Sequence, residues 1–572
     1  MNLLDWIVIA VFALLLIGII VWVLRQKQNS SGDYFLAGRD ATWIAIGASI
    51  FASNIGSEHL IGLAGAGASS GMAMAHWEIQ GWMILVLGWV FVPFYSRSMV
   101  TTMPEFLERR YNKESRSLLS IISLVSYVLT KVAVTVYAGG LVFKEVFGIE
   151  TIWGIDFFWI SAIGLVLLTA AYTVVGGMKS VLYTSVLQTP ILLLGSLIIV
   201  VLGLKALGGW DEMIRITSAV EVNQYGDTMT NLIRSNRDEN FPWLGVFIGS
   251  AVIGFWYWCT DQFIVQRVLS GKNETQSRRG TIFGAYLKLT PVFLFMIPGM
   301  IAFAMAQKGV VINGEVFTLS SSDAAFPTLV AKLLPAGVKG LVVCGILAAL
   351  MSSLASLFNS SAMLFTIDFY KKYRPEASES KLIRVGRIAT VVVVVLGILW
   401  IPVMQSIGDV LYTYLQDVQS VLAPGIAAAF LLGILSTKPT PKGGMWGMIA
   451  GFIVGILRIG AKVLYTSLAG SEGYTNVKLW AAETGVNNWF YTLFYDVNWL
   501  FFSGGMLAFS ILVILIVSRF TEAAPAAQIQ GLTFGSSTAE QKAATRASWD
   551  GWDIFHTVVI LGLTVAFYIY FW

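Results

Sequence analysis

Charge is scarce in this chain. Asp, Glu, Lys and Arg make up 12% of its 572 residues, about half the ~25% usual in soluble globular domains. So little charge, with 56% of residues hydrophobic, excludes a soluble protein of this length. Cysteine is rarer still. Cys259 and Cys344 are the whole complement, too few for a disulfide framework or a thiolate metal cluster, and both read as small buried hydrophobes. Three histidines leave no His-rich metal site. The net charge of +4 lacks the concentrated basic tract that nucleic-acid binding needs. No nucleophile–base pair, zinc-type His spacing or nucleotide loop is present, so the chain is read as a non-enzyme. Nothing marks an obligate protein partner.

What the chain has in quantity is apolar length. Mean hydropathy is +0.73, and about fourteen apolar runs reach membrane-spanning length. They fall near 3–24, 43–70, 80–96, 118–146, 157–175, 184–204, 241–268, 280–306, 336–370, 384–403, 409–436, 443–465, 498–518 and 552–571. The fold class expected is an all-α polytopic membrane protein. The first run has no basic residue ahead of it and is expected to be an anchor rather than a removed signal peptide. Orientation follows from basic residues in the short loops. With the N-terminus outside, the cytoplasmic loops 25–42, 97–117, 176–180, 268–279, 371–384, 437–442 and 519–551 hold 22 Lys and Arg. The opposite loops 205–240, 307–335 and 466–497 hold 7. An even number of spans places the C-terminus outside too, in a plasma or bacterial inner membrane.

Two of the runs are interrupted by polar residues. In 43–70 the interruption reads Ala52-Ser53-Asn54-Ile55-Gly56-Ser57-Glu58-His59, and in 241–268 it reads Tyr257-Trp258-Cys259-Thr260-Asp261-Gln262. Carboxylates and amides at bilayer depth are tolerated where they face a cavity or a ligand. A pair of broken spans five helices apart points to an inverted-repeat transporter with its site at the repeat interface. The chain then divides into an anchor helix and loop (1–42), a first five-helix repeat (43–204), an extracellular loop (205–240), a second repeat (241–436) and peripheral helices (437–572). A flexible cytoplasmic linker is expected near 519–551.

Other polar groups sit inside apolar runs. Asn54, His59, Glu78, Lys288 and Gln416 mix donors and acceptors in the way a neutral polyol requires. Lys288 could instead snorkel to the interface, and Asn54 and Gln416 could serve as interhelical hydrogen bonds. Tyr257 and Trp258 could stack on the apolar face of a sugar ring or simply pack. The hydroxyls of Ser352 and Ser353, with carbonyls freed near Ala52–Ile55, suit a hard monovalent cation; serine in a small-residue helix also permits close packing. Asp261 and Arg267 are read as members of an inner salt-bridge network.

These motifs together resemble the sodium/glucose cotransporter family within the larger solute:sodium symporters. The segments that carry the resemblance are Phe51–His59, Leu87–Pro93, Thr102–Phe106, Trp256–Gln262 with Gln266 and Arg267, Tyr286–Leu289, Ser352–Ser356 and Tyr414–Gln416 followed by Pro424. The resemblance implies a five-plus-five inverted repeat (LeuT-like), fourteen helices and alternating access. It implies sugar contacts at Asn54, His59, Glu78, Lys288 and Gln416, with Tyr257 as inner-gate tyrosine and Trp258 beside it. It implies an outer lid of Leu63, Trp77 and Tyr412. For sodium it implies the carbonyls of Ala52, Ile55 and Ala349 and the hydroxyls of Ser352 and Ser353.

Two positions depart from the family pattern. Close relatives carry an amide or hydroxyl where Gly254 stands, which leaves one sugar contact missing or made by water. Members often carry Asp where Ser185 stands, and its absence favours one Na⁺ per cycle. The function expected is sodium-coupled import of a neutral hexose-like sugar, the partners being sugar, Na⁺ and membrane lipid. Inositol or another polyol is the alternative substrate, and a channel or sugar sensor on the same fold is the alternative class. The orientation is testable by cysteine labelling from outside. Glu376→Cys should react with a membrane-impermeant maleimide only after cells are opened, and Tyr225→Cys on intact cells; the reverse pattern overturns the topology.

Overall fold

A computed structural model of the chain describes residues 1–26, 29–56, 58–405, 411–472, 474 and 476–572, apart from the side chains at 129, 130, 141, 145, 400–415 and 417. Eleven helices among the described residues are long and apolar enough to cross a membrane. Their burial sorts them. In Val338–Tyr373 89% of the most apolar window is buried, which makes it the central post; in Leu3–Leu24 and Gly551–Tyr570 only 17% is, which leaves them facing lipid.

Several helices hold more than one crossing's length. Phe157–Leu207 has 51 residues, ~77 Å of helix against a hydrocarbon core of ~30 Å. It is divided at Gly177, whose backbone lies at φ 55°, ψ −149°. A Cβ there would sit 2.4 Å from the carbonyl oxygen of Tyr34, so only glycine fits the bend. The break at Gly177 falls within the expected loop 176–180 and divides the run into two helices.

Both interrupted spans are broken where the polar residues fall. The helix Trp43–Asn54 ends at Ile55, which is extended at ψ 109°, and the chain resumes as a π turn, Glu58–Leu63, and the helix Ala64–Ser70. The helix Trp243–Phe255 runs into a π turn, Trp256–Thr260, and stops at Asp261, extended at ψ 127°. The Asp261 carboxylate then accepts from the Phe263 amide and opens the helix Gln262–Leu269. π turns inside helices mark places where a ladder is re-aimed, often at functional sites.

The helices pack so that the breaks meet. Trp43–Asn54 lies along Glu274–Lys288 and also touches Val338–Met363, which in turn has its largest contact with Phe157–Leu207. Two short antiparallel hairpins, Thr151–Ile152 with Ile155–Asp156 and Val311–Ile312 with Glu315–Val316, are the named sheet structure among the described residues. The segment 519–551 is not a loose linker. It carries the short helices Ala526–Ile529 and Ala539–Ala547, and it is tied to the bundle by Arg97 donating to Ser537 (3.1 Å) and Gln528 donating to the Tyr111 carbonyl (2.8 Å).

Candidate functional site

The two broken helices and their neighbours enclose a cavity. Its lining holds all seven candidate sugar contacts: Asn54, His59, Glu78, Tyr257, Trp258, Lys288 and Gln416. Residues as far apart in sequence as Asn54 and Gln416 are thus brought to one space by the crossing of their helices. The cavity also takes Trp77, from the expected lid, Gly254, where a sugar contact was expected to be missing, and three polar residues that sequence reasoning did not place there: Glu58, Gln80 and Gln419. It leaves about 40 Å³ to the centres of water molecules, room for a few waters and too little for a hexose. The helices around it must part before a ring enters.

Lys288 organises this space. Its ammonium is 2.9 Å from Asn54 Oδ1 and 2.7 Å from Glu78 Oε2, and it lies 5.3 Å from the Trp258 ring centre. The side chain is 4% exposed, so it is a buried partner of Glu78 and does not snorkel. Asn54 spends its other end donating to the Tyr257 hydroxyl at 3.1 Å. His59 Nε2 is 3.2 Å from Glu78 Oε2, within ion-pair range yet off the axis of a hydrogen bond. Both His59 ring nitrogens, Gln416 Oε1 and Trp77 Nε1 are buried without a hydrogen-bond partner among the described residues. Buried polar atoms are nearly always paired, so three side chains at one cavity without partners mark a place for a polar guest.

The lid residues separate. Trp77 stacks on Trp499 at 5.6 Å and 21°. Leu63 is fully buried in the π turn and does not line the cavity. The side chain of Tyr412 lies outside the described residues.

Beneath Tyr257 is a second charge pair. Asp261 binds Lys131 at 2.7 Å and accepts from Tyr127; Lys131 also lies 4.7 Å from the Tyr257 ring centre. Arg267, expected to belong with Asp261, instead donates to the Phe263 carbonyl and stacks over the Phe263 ring at 5.2 Å. The partner of Asp261 is Lys131, which no sequence motif marks.

The cation candidates gather at the crossing of the first break with Val338–Met363. The Ser353 hydroxyl donates to the Ser53 carbonyl (2.8 Å) and the Ile55 carbonyl (3.3 Å). Ser53 Oγ and Ser356 Oγ are 2.6 Å apart, and Ser352 Oγ faces Ser185 Oγ at 3.3 Å. Ala52 and Ala349 are buried on the same two helices. The donors are carbonyl and hydroxyl oxygens without a carboxylate, a set that fits a hard, singly charged ion.

A helical membrane protein whose paired broken helices enclose a polar cavity belongs to the class of secondary transporters. The profile of the "Sodium:solute symporter family" matches residues 34–451. The chain is 34% identical over 550 residues to sodium/glucose cotransporter 4 of Mus musculus, covering 93% of this chain and 77% of that protein. It is 36% identical over 546 residues to sodium/glucose cotransporter 1 of Ovis aries (91% and 79%). To sodium/myo-inositol cotransporter 2 of Homo sapiens it is 35% identical over 550 residues (93% and 78%). Among solved structures it resembles a Na⁺-coupled sialic acid symporter in a substrate-bound outward-open state, with a TM-score of 0.69 and 20% identity over 92% of this chain and 99% of that one; that likeness concerns the fold. The chain belongs to the sodium:solute symporter family: it is a multi-pass, sodium-coupled solute symporter, and Na⁺ is the ion it co-transports.

The Glu78–Lys288 pair can be weighed directly. Lys288→Met should lower the unfolding free energy of the detergent-solubilised protein by about 3–5 kcal/mol, because it strands a buried carboxylate. Lys288→Met/Glu78→Leu should recover much of that loss. Additive losses in the double variant would show the two groups to be uncoupled.

Proposed function

We propose that the protein imports a neutral, hexose-like sugar with Na⁺ by alternating access, one ion per sugar. The observation that carries the reading is the convergence of Asn54, His59, Glu78, Tyr257, Trp258, Lys288 and Gln416 on one closed cavity. Within it the His59 ring nitrogens and Gln416 Oε1 accept or donate no hydrogen bond among the described residues. A sugar hydroxyl both donates and accepts, so a ring of them satisfies an imidazole nitrogen and an amide oxygen together. Trp258 and Tyr257 supply apolar faces for the ring. The Lys288–Glu78 pair is neutral as a unit, which suits an uncharged solute; a carboxylate substrate would meet Glu78.

The five-plus-five repeat supplies the motion, with the kinked and broken runs read as fourteen crossings. Sodium, held by the Ile55 carbonyl and the Ser353 and Ser352 hydroxyls with the Ala52 and Ala349 carbonyls, ties the first break to Val338–Met363. That favours the state open to the outside with a formed sugar site. Leu63, Trp77 and Tyr412 then close from outside, and Tyr257 bars the inner path. Only an ion with different affinity for the two states can couple the fluxes. One charge falling through 100 mV releases about 2.3 kcal/mol, close to a fifty-fold sugar accumulation. The count of one rests on Ser185, an uncharged neighbour of Ser352 where relatives often carry Asp.

A cyclic polyol such as inositol is the second reading. It offers the same ring of hydroxyls, and relatives at similar identity are named for myo-inositol.

Uptake of labelled hexoses and polyols into proteoliposomes under a Na⁺ gradient tests the proposal. Saturable, sodium-dependent hexose uptake is expected, cut about tenfold or more by Lys288→Ala or Gln416→Ala. Ser353→Ala should raise the Na⁺ concentration required. Conductance without saturation would point to a channel, and binding without flux to a sensor; either overturns the proposal. A coupling of two Na⁺ per sugar refutes the single-ion count.

A further inference from the structure

We propose that Gln80 reads one hydroxyl of the transported sugar, supplying from the facing helix the polar contact that Gly254 lacks. The inference rests on the sugar reading of the cavity. Gln80 is 2% exposed and lines that cavity, yet it stands two residues beyond Glu78 in a run otherwise read as span. Its amide is held in one orientation. Nε2 donates to the Ser250 carbonyl at 2.9 Å, one helical turn ahead of Gly254 on the broken helix. With the nitrogen so placed, Oε1 is turned onto Gly254: a Cβ added there would sit 2.4 Å from Oε1 and 2.9 Å from Cδ. The volume a side chain at 254 would fill is already taken by the Gln80 amide. Residue 254 is glycine for that reason, and the two positions are one device.

Oε1 accepts no hydrogen bond among the described residues, while the Lys288 ammonium of the same cavity is engaged by Asn54 and Glu78. A fixed acceptor on the cavity wall needs an O–H from the guest. A sugar hydroxyl meets that need, and a site built around such a contact rejects an analogue without the hydroxyl far more strongly than an apolar wall rejects an extra group.

The test uses the full-length protein in proteoliposomes, with the best-transported sugar and each of its monodeoxy analogues. The wild type should discriminate against the analogue lacking the hydroxyl read by Gln80 by about tenfold to a hundredfold in kcat/KM. Gln80→Leu should abolish discrimination at that one position, the parent sugar falling to the level of the analogue, and keep it at the others. Gly254→Ala, which pushes Oε1 aside without touching the residue itself, should erase the same position. That variant decides the question alone if Gln80→Leu fails to reach the membrane. Gln80→Ala/Gly254→Asn should restore discrimination by returning an amide from the other helix. An unchanged deoxy profile overturns the role of Gln80, and so does a collapse at every position, which marks a merely structural part. A wild type that carries no sugar at all strikes the reading of the cavity itself.

Discussion

The structure turns on a single loss of helix between Ser53 and Glu58. Because Ile55 is extended, the carbonyls of Ser53 and Ile55 leave the helical ladder and accept from Ser353. Asn54, between them, sends its side chain the other way, to Lys288 and Tyr257. One stretch of three residues therefore faces Ser353, at the proposed cation position, with its backbone and the cavity with its side chain. A change in how that stretch sits against Val338–Met363 is felt by both. If the proposed ion and solute sites are the ones used, their coupling needs no relay across the bundle, since both draw on the same peptide.

Much of the charge inside the bundle is held in pairs between distant parts of the chain. Lys288 is bound to Glu78 above Tyr257, and Lys131 to Asp261 below it. Further in, Arg116 is bound to Asp368. Each pair joins residues far apart in the chain, and breaking one leaves an uncompensated charge in a low dielectric. Such pairs add little to net stability against an apolar replacement, but they make the arrangement of the helices discrete. The chain can hold one packing or another, and intermediate positions are costly. That is the physical requirement for a carrier that exposes its site to one side at a time.

The breaks are plain in the sequence, because polar runs such as Ser53–His59 and Thr260–Gln262 have no other place at membrane depth. Lys288 and Gln416 are legible too, as single polar residues in apolar helices. The pairing of Asp261 is not. Arg267 is six residues away and Lys131 is 130, and only the packing of the helices decides between them. Gln80 escapes a reading of the sequence for a similar reason. Its meaning depends on the missing side chain at 254, on another helix. The break at Gly177 is legible too, because a glycine pair and a lysine interrupt the apolar run there. The Ala-, Gln- and Ser-rich composition of 519–551 suggests a linker, and composition says nothing of the anchoring given by Arg97 and Tyr111.

Trp77, in the cavity wall, stacks on Trp499, and Trp499 opens a helix with 33% of its apolar window buried. The wall of the cavity is thus continued by a helix that packs against Trp243–Phe255, Leu411–Leu435 and Pro441–Ser471 and turns the rest of its apolar surface outward. Any shift of that helix within the bundle is therefore delivered to the cavity wall through one pair of stacked indoles.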